Sequence, residues 1–348
     1  MKTVFGKLPS GEEVYIHRLA SRLMSVGVIT YGAAIQSLSV RDRNGKMTDV
    51  VLGFDTLEEY AADASCFGAV VGRFANRISG AAFELNGKRY ALEANEAGNC
   101  LHSGKSGYHR RNWRIESASA SMITLSLESP DGDGGFPGAA KVSVTYRIMG
   151  SVLYIRYRGA SSSDTVMNLV NHSYFNLSGH GSGSVLDQRI RIDADSFLPT
   201  DEENIPLPGS APVDGTPMDL RREKRIGDFA GSGFYQTEKA RGFDHCYILN
   251  GKTDERYSMR SFAEARSDRT GIRMRCFTYA PAVQFYTGGS IPDRLPGKDG
   301  AAYGPHGGFC LETGGCPNSP NRPDLPSSVL RAGEKYVQNT MLVFLNDR

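Results

Sequence analysis

The chain has 348 residues, of which 40% are hydrophobic, and 40 Lys+Arg stand against 38 Asp+Glu. A chain this long buries enough apolar surface to need no disulfide or metal staple, and its interspersed charges lack the basic stretch of a nucleic-acid binder. No stretch approaches the ~18 apolar residues of a membrane span, and Met1-Lys2-Thr3-Val4-Phe5-Gly6-Lys7 has no apolar secretion core, so a soluble, non-secreted protein without nucleic-acid or membrane partners is expected.

Read along the chain, the pattern is one of strands and turns. Asn44-Gly45 marks a first tight turn, because Asn-Gly tolerates positive φ. Thr56-Leu57-Glu58-Glu59-Tyr60-Ala61-Ala62 reads as two helical turns with Asp55 as N-cap. The stretch from Phe83 to Leu92, centred on Asn86-Gly87, reads as a complete hairpin. Period-2 alternation follows in Val142, Val144, Tyr146 and Ile148, and again in Leu153, Ile155 and Tyr157. Residues 198–218 look like an ordered excursion. Asn250-Gly251 marks another hairpin turn, and alternation resumes at Ile272, Met274 and Cys276 and closes at Leu342 and Phe344. With no βαβ rhythm and no fixed repeat, the fold class is all-β: one large antiparallel β-sandwich forming a single domain over residues 1–348.

The six cysteines (Cys66, Cys100, Cys246, Cys276, Cys310, Cys316) are dispersed, with no C-x-x-C pair. Free thiols in a reducing cytoplasm are expected. The seven histidines form no H-x-H or H-x-x-x-H pair, so no metal site is expected. Gly179-His180-Gly181-Ser182-Gly183 is no nucleophile elbow, since its serine falls one place late. The Gly-rich runs lack the Gly-Lys-Ser/Thr of a phosphate loop, so no nucleotide cofactor is expected either.

Two polar residues stand in otherwise apolar or tightly patterned strands: His172 in Asn171-His172-Ser173-Tyr174-Phe175-Asn176-Leu177, and Glu312 in Gly308-Phe309-Cys310-Leu311-Glu312-Thr313. Each alone has an ordinary reading, a satisfied core histidine or a strand-end ion pair. Together they suit proton transfer near neutral pH, because their reference pKa values, ~6.5 and ~4.3, bracket a held proton and a vacancy. Asn76, Arg77, His102, Asp244 and Gln284 supply the amide, guanidinium and carboxylate groups that sugar hydroxyls require. Arg73 reads as structural.

These residues resemble a known family. Gly72-Arg73-Phe74-Ala75-Asn76-Arg77-Ile78, the His172 motif, Gly242-Phe243-Asp244-His245 and Leu311-Glu312-Thr313 are similar, in order and spacing, to the motifs of the aldose 1-epimerase (galactose mutarotase) family. Val51-Leu52-Gly53-Phe54-Asp55 and Gln284-Phe285-Tyr286-Thr287-Gly288 are weaker marks, and the similarity runs from about residue 31 to 344. The resemblance implies a β-sandwich often called a supersandwich, a free aldohexose such as galactose or glucose as substrate, and no cofactor. It implies His172 as general acid and Glu312 as general base, with Asn76, Arg77, His102, Tyr174, Asp244 and Gln284 lining the sugar site. Two positions depart from the family pattern, Ser103 where glycine is usual and Gly314 where glutamine is usual. Ser103 is expected to tighten the His102 loop, and loss of the glutamine to alter the choice among sugars.

The activity expected is interconversion of α and β anomers by ring opening and reclosure. Two alternatives stay open: a hexose-6-phosphate epimerase, which needs a basic cluster at the cleft mouth from residues such as Arg221, Arg222 or Arg241, and a non-catalytic sugar sensor. A monomer or homodimer is compatible with the sequence. The sequons at Asn171 and Asn176 fall inside the His172 motif, where a glycan would obstruct the cleft, so a cytoplasmic home is expected.

Overall fold

The computed structural model describes residues 2–251, 253–254 and 258–347. Strands dominate it, in three main antiparallel sheets. The largest has ten strands, ordered Arg114–Ala118, Met122–Ser129, Ala140–Met149, Val152–Ser161, Tyr336–Asn346, Ile272–Thr278, Met259–Arg266, Arg189–Ile192 and Lys224–Arg225, with Thr253–Asp254 beside Met259–Arg266. The alternating residues read from the sequence form its inner face. Tyr146 lies opposite Ile155, Ile148 opposite Leu153, Leu153 opposite Leu342, and Cys276 opposite Leu342, all buried.

A five-stranded sheet, Lys2–Lys7, Glu13–Ala20, Met24–Ile29, Ile35–Arg41 and Met47–Asp49, flanks it at the N-terminal end. A second five-stranded sheet runs Ala211–Pro212, Ser196–Leu198, Asp244–Ile248, Ala282–Tyr286 and Cys310–Gly314. One contiguous apolar core joins all three, from Leu19 and Val26 through Val144 and Ile155 to Tyr247, Phe285 and Phe344. Facing sheets that interdigitate in this way make the expected sandwich. Among the described residues no helix is long and apolar enough to cross a membrane.

Local readings fared unevenly. The hairpin forms as Ala82–Leu85 and Lys88–Ala91, with Asn86 at φ 53° and Gly87 at φ 73° as the two-residue turn. The helix is Leu57–Ala62, but its N-cap is Thr56: the Thr56 hydroxyl accepts from Glu59 N–H while the Glu59 carboxylate accepts from Thr56 N–H. Asp55 instead accepts from Asp299 N–H. Asn250-Gly251 closes no hairpin, since the strands on either side, Asp244–Ile248 and Thr253–Asp254, lie in different sheets and Asn250 is bonded to Asp193. Residues 198–218 are ordered, with Val213 and Met218 buried and Arg322 donating to the carbonyls of Pro206 and Leu207.

Candidate active site

Period-2 geometry decides what the Ser196–Leu198 sheet presents. Phe285 and Tyr247 point into the core. Their neighbours therefore point the other way. Asp244 lies opposite Tyr286, Gln284 opposite Glu312, and Tyr286 opposite Cys310, so three adjacent strands lay these side chains on one face. That face floors a cleft of about 620 Å³.

Two other segments complete its walls. The short strands Arg77–Ile78 and Cys100–Leu101 pair with Leu101 opposite Arg77, which brings Asn76 and His102 side by side. His102 N–H donates to Asn76 O, and Asn76 N–H donates to His102 Nδ1, each at 3.1 Å. A neutral His102 ring therefore carries its proton on Nε2. Asn76, His102 and Ser103 all have positive φ, at 67°, 54° and 65°. Such backbone is unfavourable outside glycine and persists only where neighbours enforce it. The Ser103 hydroxyl supplies one restraint, accepting from Phe74 N–H at 2.9 Å and lying 3.2 Å from Phe74 O, so it ties the His102 loop down.

The His172 segment is pinned by its flanking asparagines. Asn171 Nδ2 donates to Gly68 O while its Oδ1 accepts from Ser173 N–H and Oγ–H. Asn176 Nδ2 donates to Gly183 O and Gly307 O. Both sequon amides are thus engaged within the fold. His172 N–H donates to Ala69 O, and Gly68 N–H donates to His172 O. The ring stacks on Tyr174, 5.0 Å between centroids at 20°, and its Nδ1 is 3.5 Å from Cys310 Sγ.

His172 Nε2 lies 3.6 Å from Glu312 Oε1, and both side chains are buried. Burial pushes the His172 imidazole down to about 4. Burial also raises the Glu312 carboxyl well above its usual range; the Asp244 charge raises it further, and Arg77 works against both. The pair therefore favours its uncharged form, with one proton on the carboxyl and none added to the ring. His102 is held neutral by burial and by nearby His172, His109 and Arg77.

Of the eight residues expected at the site, Asn76, Arg77, His102, His172, Tyr174, Asp244 and Glu312 line this one cleft. Gln284 lies on the same face but outside that lining: its Nε2 donates to Asp244 Oδ1 at 2.7 Å, and its Oε1 is buried without a partner. That bond ties Gln284 to a carboxylate of the cleft lining. Sequence reasoning missed Tyr286 and Glu96, which also line the cleft. A two-residue step along the strand from Gln284 would have found Tyr286; nothing in the pattern around Glu96 marks it. Arg73 is fully buried and structural, its guanidinium donating to Pro137 O, Gly138 O and Ser129 Oγ. Among the described lining residues Arg77 is the one lysine or arginine, and Arg221 is bound instead to Asp195, Asp214 and Asp219. Among the described residues, no basic cluster of the kind a phosphorylated sugar would need lines the cleft. Among the described residues no three His, Cys, Asp or Glu side chains converge in a metal-holding group.

The architecture is that of the galactose mutarotase-like β-sandwiches. It matches the crystal structure of a GalM/aldose epimerase homologue from C. elegans with a TM-score of 0.88 at 27% identity, covering 96% of this chain and 99% of that one. Galactose 1-epimerase from Lactobacillus acidophilus matches with a TM-score of 0.86 at 26% identity, over 100% and 99%. In sequence, the aldose 1-epimerase family model matches residues 15–342. Galactose mutarotase of Sus scrofa is 43% identical over 99% of this chain and 98% of its own length, and aldose 1-epimerase of Escherichia coli K12 is 33% identical over 92% of each. The chain belongs to the aldose 1-epimerase family.

Proposed function

We propose that this chain, working as one domain, interconverts the α and β anomers of a free aldohexose such as galactose or glucose, with His172 and Glu312 as the acid-base pair. The observation that carries the assignment is the 3.6 Å approach of His172 Nε2 to Glu312 Oε1 inside a cleft of about 620 Å³. Family membership supports the reaction class. The six free cysteines support a reducing, cytoplasmic home.

Ring opening needs one proton delivered and one removed. Glu312 as carboxylate takes the proton of the C1 hydroxyl, the C1–ring-oxygen bond breaks as the C1 carbonyl forms, and His172 as imidazolium protonates the ring oxygen. After rotation about C1–C2, the ring hydroxyl attacks the other carbonyl face and both transfers reverse. The pair holds one proton throughout, so the uncharged resting form and the ionised reacting form differ only by a proton moved across the 3.6 Å gap. Arg77 favours the Glu312 carboxylate and so assists that shift, whereas Asp244 favours charge on His172 and also holds the Glu312 proton, so that its two effects oppose each other. Asn76, Arg77, His102, Tyr174 and Asp244 hold the sugar in register, which is where most of the positioning energy resides.

The test is polarimetry on freshly dissolved pure anomers of galactose and glucose. Glu312→Gln, close in shape to the protonated carboxyl, is expected to stay folded and to lose ~10² to ~10⁴-fold in rate. A folded variant with wild-type rates would end the assignment.

A further inference from the structure

Arg77, the one arginine among the described residues that line the cleft, does not face the cavity alone. Its Nε donates to Glu96 Oε2 at 2.5 Å and its Nη2 donates to Glu96 Oε1 at 2.9 Å, a two-pronged pair. Arg77 is nearly buried, whereas the Glu96 side chain is 36% exposed and lines the same cleft. Glu96 owes its position to the backbone around it. Glu96 N–H donates to Asn99 O and Asn99 N–H donates to Glu96 O, across Ala97 at φ 46° and Gly98 at φ 82°. Two successive left-handed residues make a tight hairpin turn. The turn is anchored by Asn95, whose Oδ1 accepts from Leu101 N–H and whose Nδ2 donates to Leu101 O. The loop that delivers His102 to the cleft therefore delivers Glu96 as well.

Three further carboxyl groups, Glu59, Asp63 and Asp244, line the cavity besides Glu312. A substrate carboxylate or phosphate entering here finds the obvious cation already occupied. It must either displace Glu96, leaving that carboxylate unpaired in a half-buried site, or sit beside it as a second uncompensated negative charge; both are unfavourable. A neutral sugar meets no such obstacle, because Glu96 uses two of the five guanidinium N–H groups and leaves three for hydroxyl oxygens. We propose that Glu96 is a specificity-determining residue, which fixes the Arg77 fork for neutral aldoses and bars anionic ones such as uronic acids and sugar phosphates.

The proposal rests on the acid-base reading above, and its test separates the two. Anomer interconversion of galactose and of galacturonic acid, equal in ring stereochemistry but differing by a C6 carboxylate, is followed in wild type, Glu96→Gln and Glu96→Asp. Wild type is expected to favour galactose in kcat/KM by about tenfold or more, the scale of one unit charge acting in a partly desolvated cleft, and added salt should narrow the gap. Glu96→Gln should shrink the preference by about fivefold or more, chiefly through KM for the acid, while Glu96→Asp, which keeps the charge, should retain it. A merely structural role would slow both sugars alike and leave their ratio unmoved, and that result overturns the proposal. So does a wild type that handles the two sugars equally. Galactose left at its uncatalysed rate by wild type would remove the acid-base reading itself, together with this inference.

Discussion

Restoring the family's usual glutamine at position 314 should damage this protein. Gly314 follows Glu312 on the same face of the strand Cys310–Gly314. A Cβ there would lie 2.7 Å from Asn168 Oδ1 and 2.9 Å from Val170 Cγ1. Asn168 is poorly placed to yield: its Oδ1 accepts from Gly315 N–H at 2.8 Å, its Nδ2 donates to Ala75 O and Gly315 O, and it is 2% exposed. Overpacking of this kind costs ~1–3 kcal/mol. If Asn168 swings away, the half-buried Gly315 N–H loses its acceptor, a further ~0.5–1.5 kcal/mol. The expected loss for Gly314→Gln, and for Gly314→Ala, which adds only the Cβ, is thus about 1.5–4.5 kcal/mol. With an unfolding entropy of ~2.1 cal/mol/K per residue over 348 residues, 1 kcal/mol corresponds to ~1.4 °C, so Tm should fall by ~2–6 °C. Calorimetry measures it, and the double variant with Asn168→Ala should recover part of the loss, since the two sites share the contact. A Tm within a degree of wild type for Gly314→Ala would show that Asn168 and Val170 relax freely and would refute the reasoning.

Two predictions concern protons. If the pair works with one proton between its members, kcat/KM should fall at low pH only as a second proton adds, governed by the imidazole held down to about 4, and at high pH as the raised Glu312 carboxyl ionises. Asp244→Asn should move the alkaline limb to lower pH, because the Asp244 charge helps hold the Glu312 proton; an acid limb near the ordinary histidine value of ~6.5 would contradict the assignment. Stability should also weaken in acid. His102, His109, His172 and His245 are all held below 6.5 by burial, so the unfolded chain takes up protons that the folded one refuses. Their contribution is complete above ~6.5 and is lost as pH falls toward the folded values. Glu312 and Asp63, both raised by burial, oppose it. His180 and His306 are lowered by burial as well, so the depressed imidazoles outnumber the two raised carboxyls, unfolding takes up protons on balance, and urea midpoints at pH 7, 6 and 5 should decline in that order.

The sequence alone determined the strand-rich class, because alternation such as Val142, Val144, Tyr146 and Ile148 suits only a half-buried sheet. It also marked His172 and Glu312, since an imidazole and a carboxyl in apolar strands demand an explanation. Their meeting at 3.6 Å, from positions 140 residues apart, was decided by sheet order. The same holds for Gln284: its motif drew attention to it, yet only the pairing of neighbouring strands brings its amide within 2.7 Å of Asp244, a residue of the cleft lining. Glu96 carried no local signal, because its part depends on a guanidinium 19 residues earlier that a hairpin turn brings within reach. Periodicity and residue chemistry are local properties and can be read along a chain; which side chains share a cavity depends on register and topology, fixed only when the sheets pack.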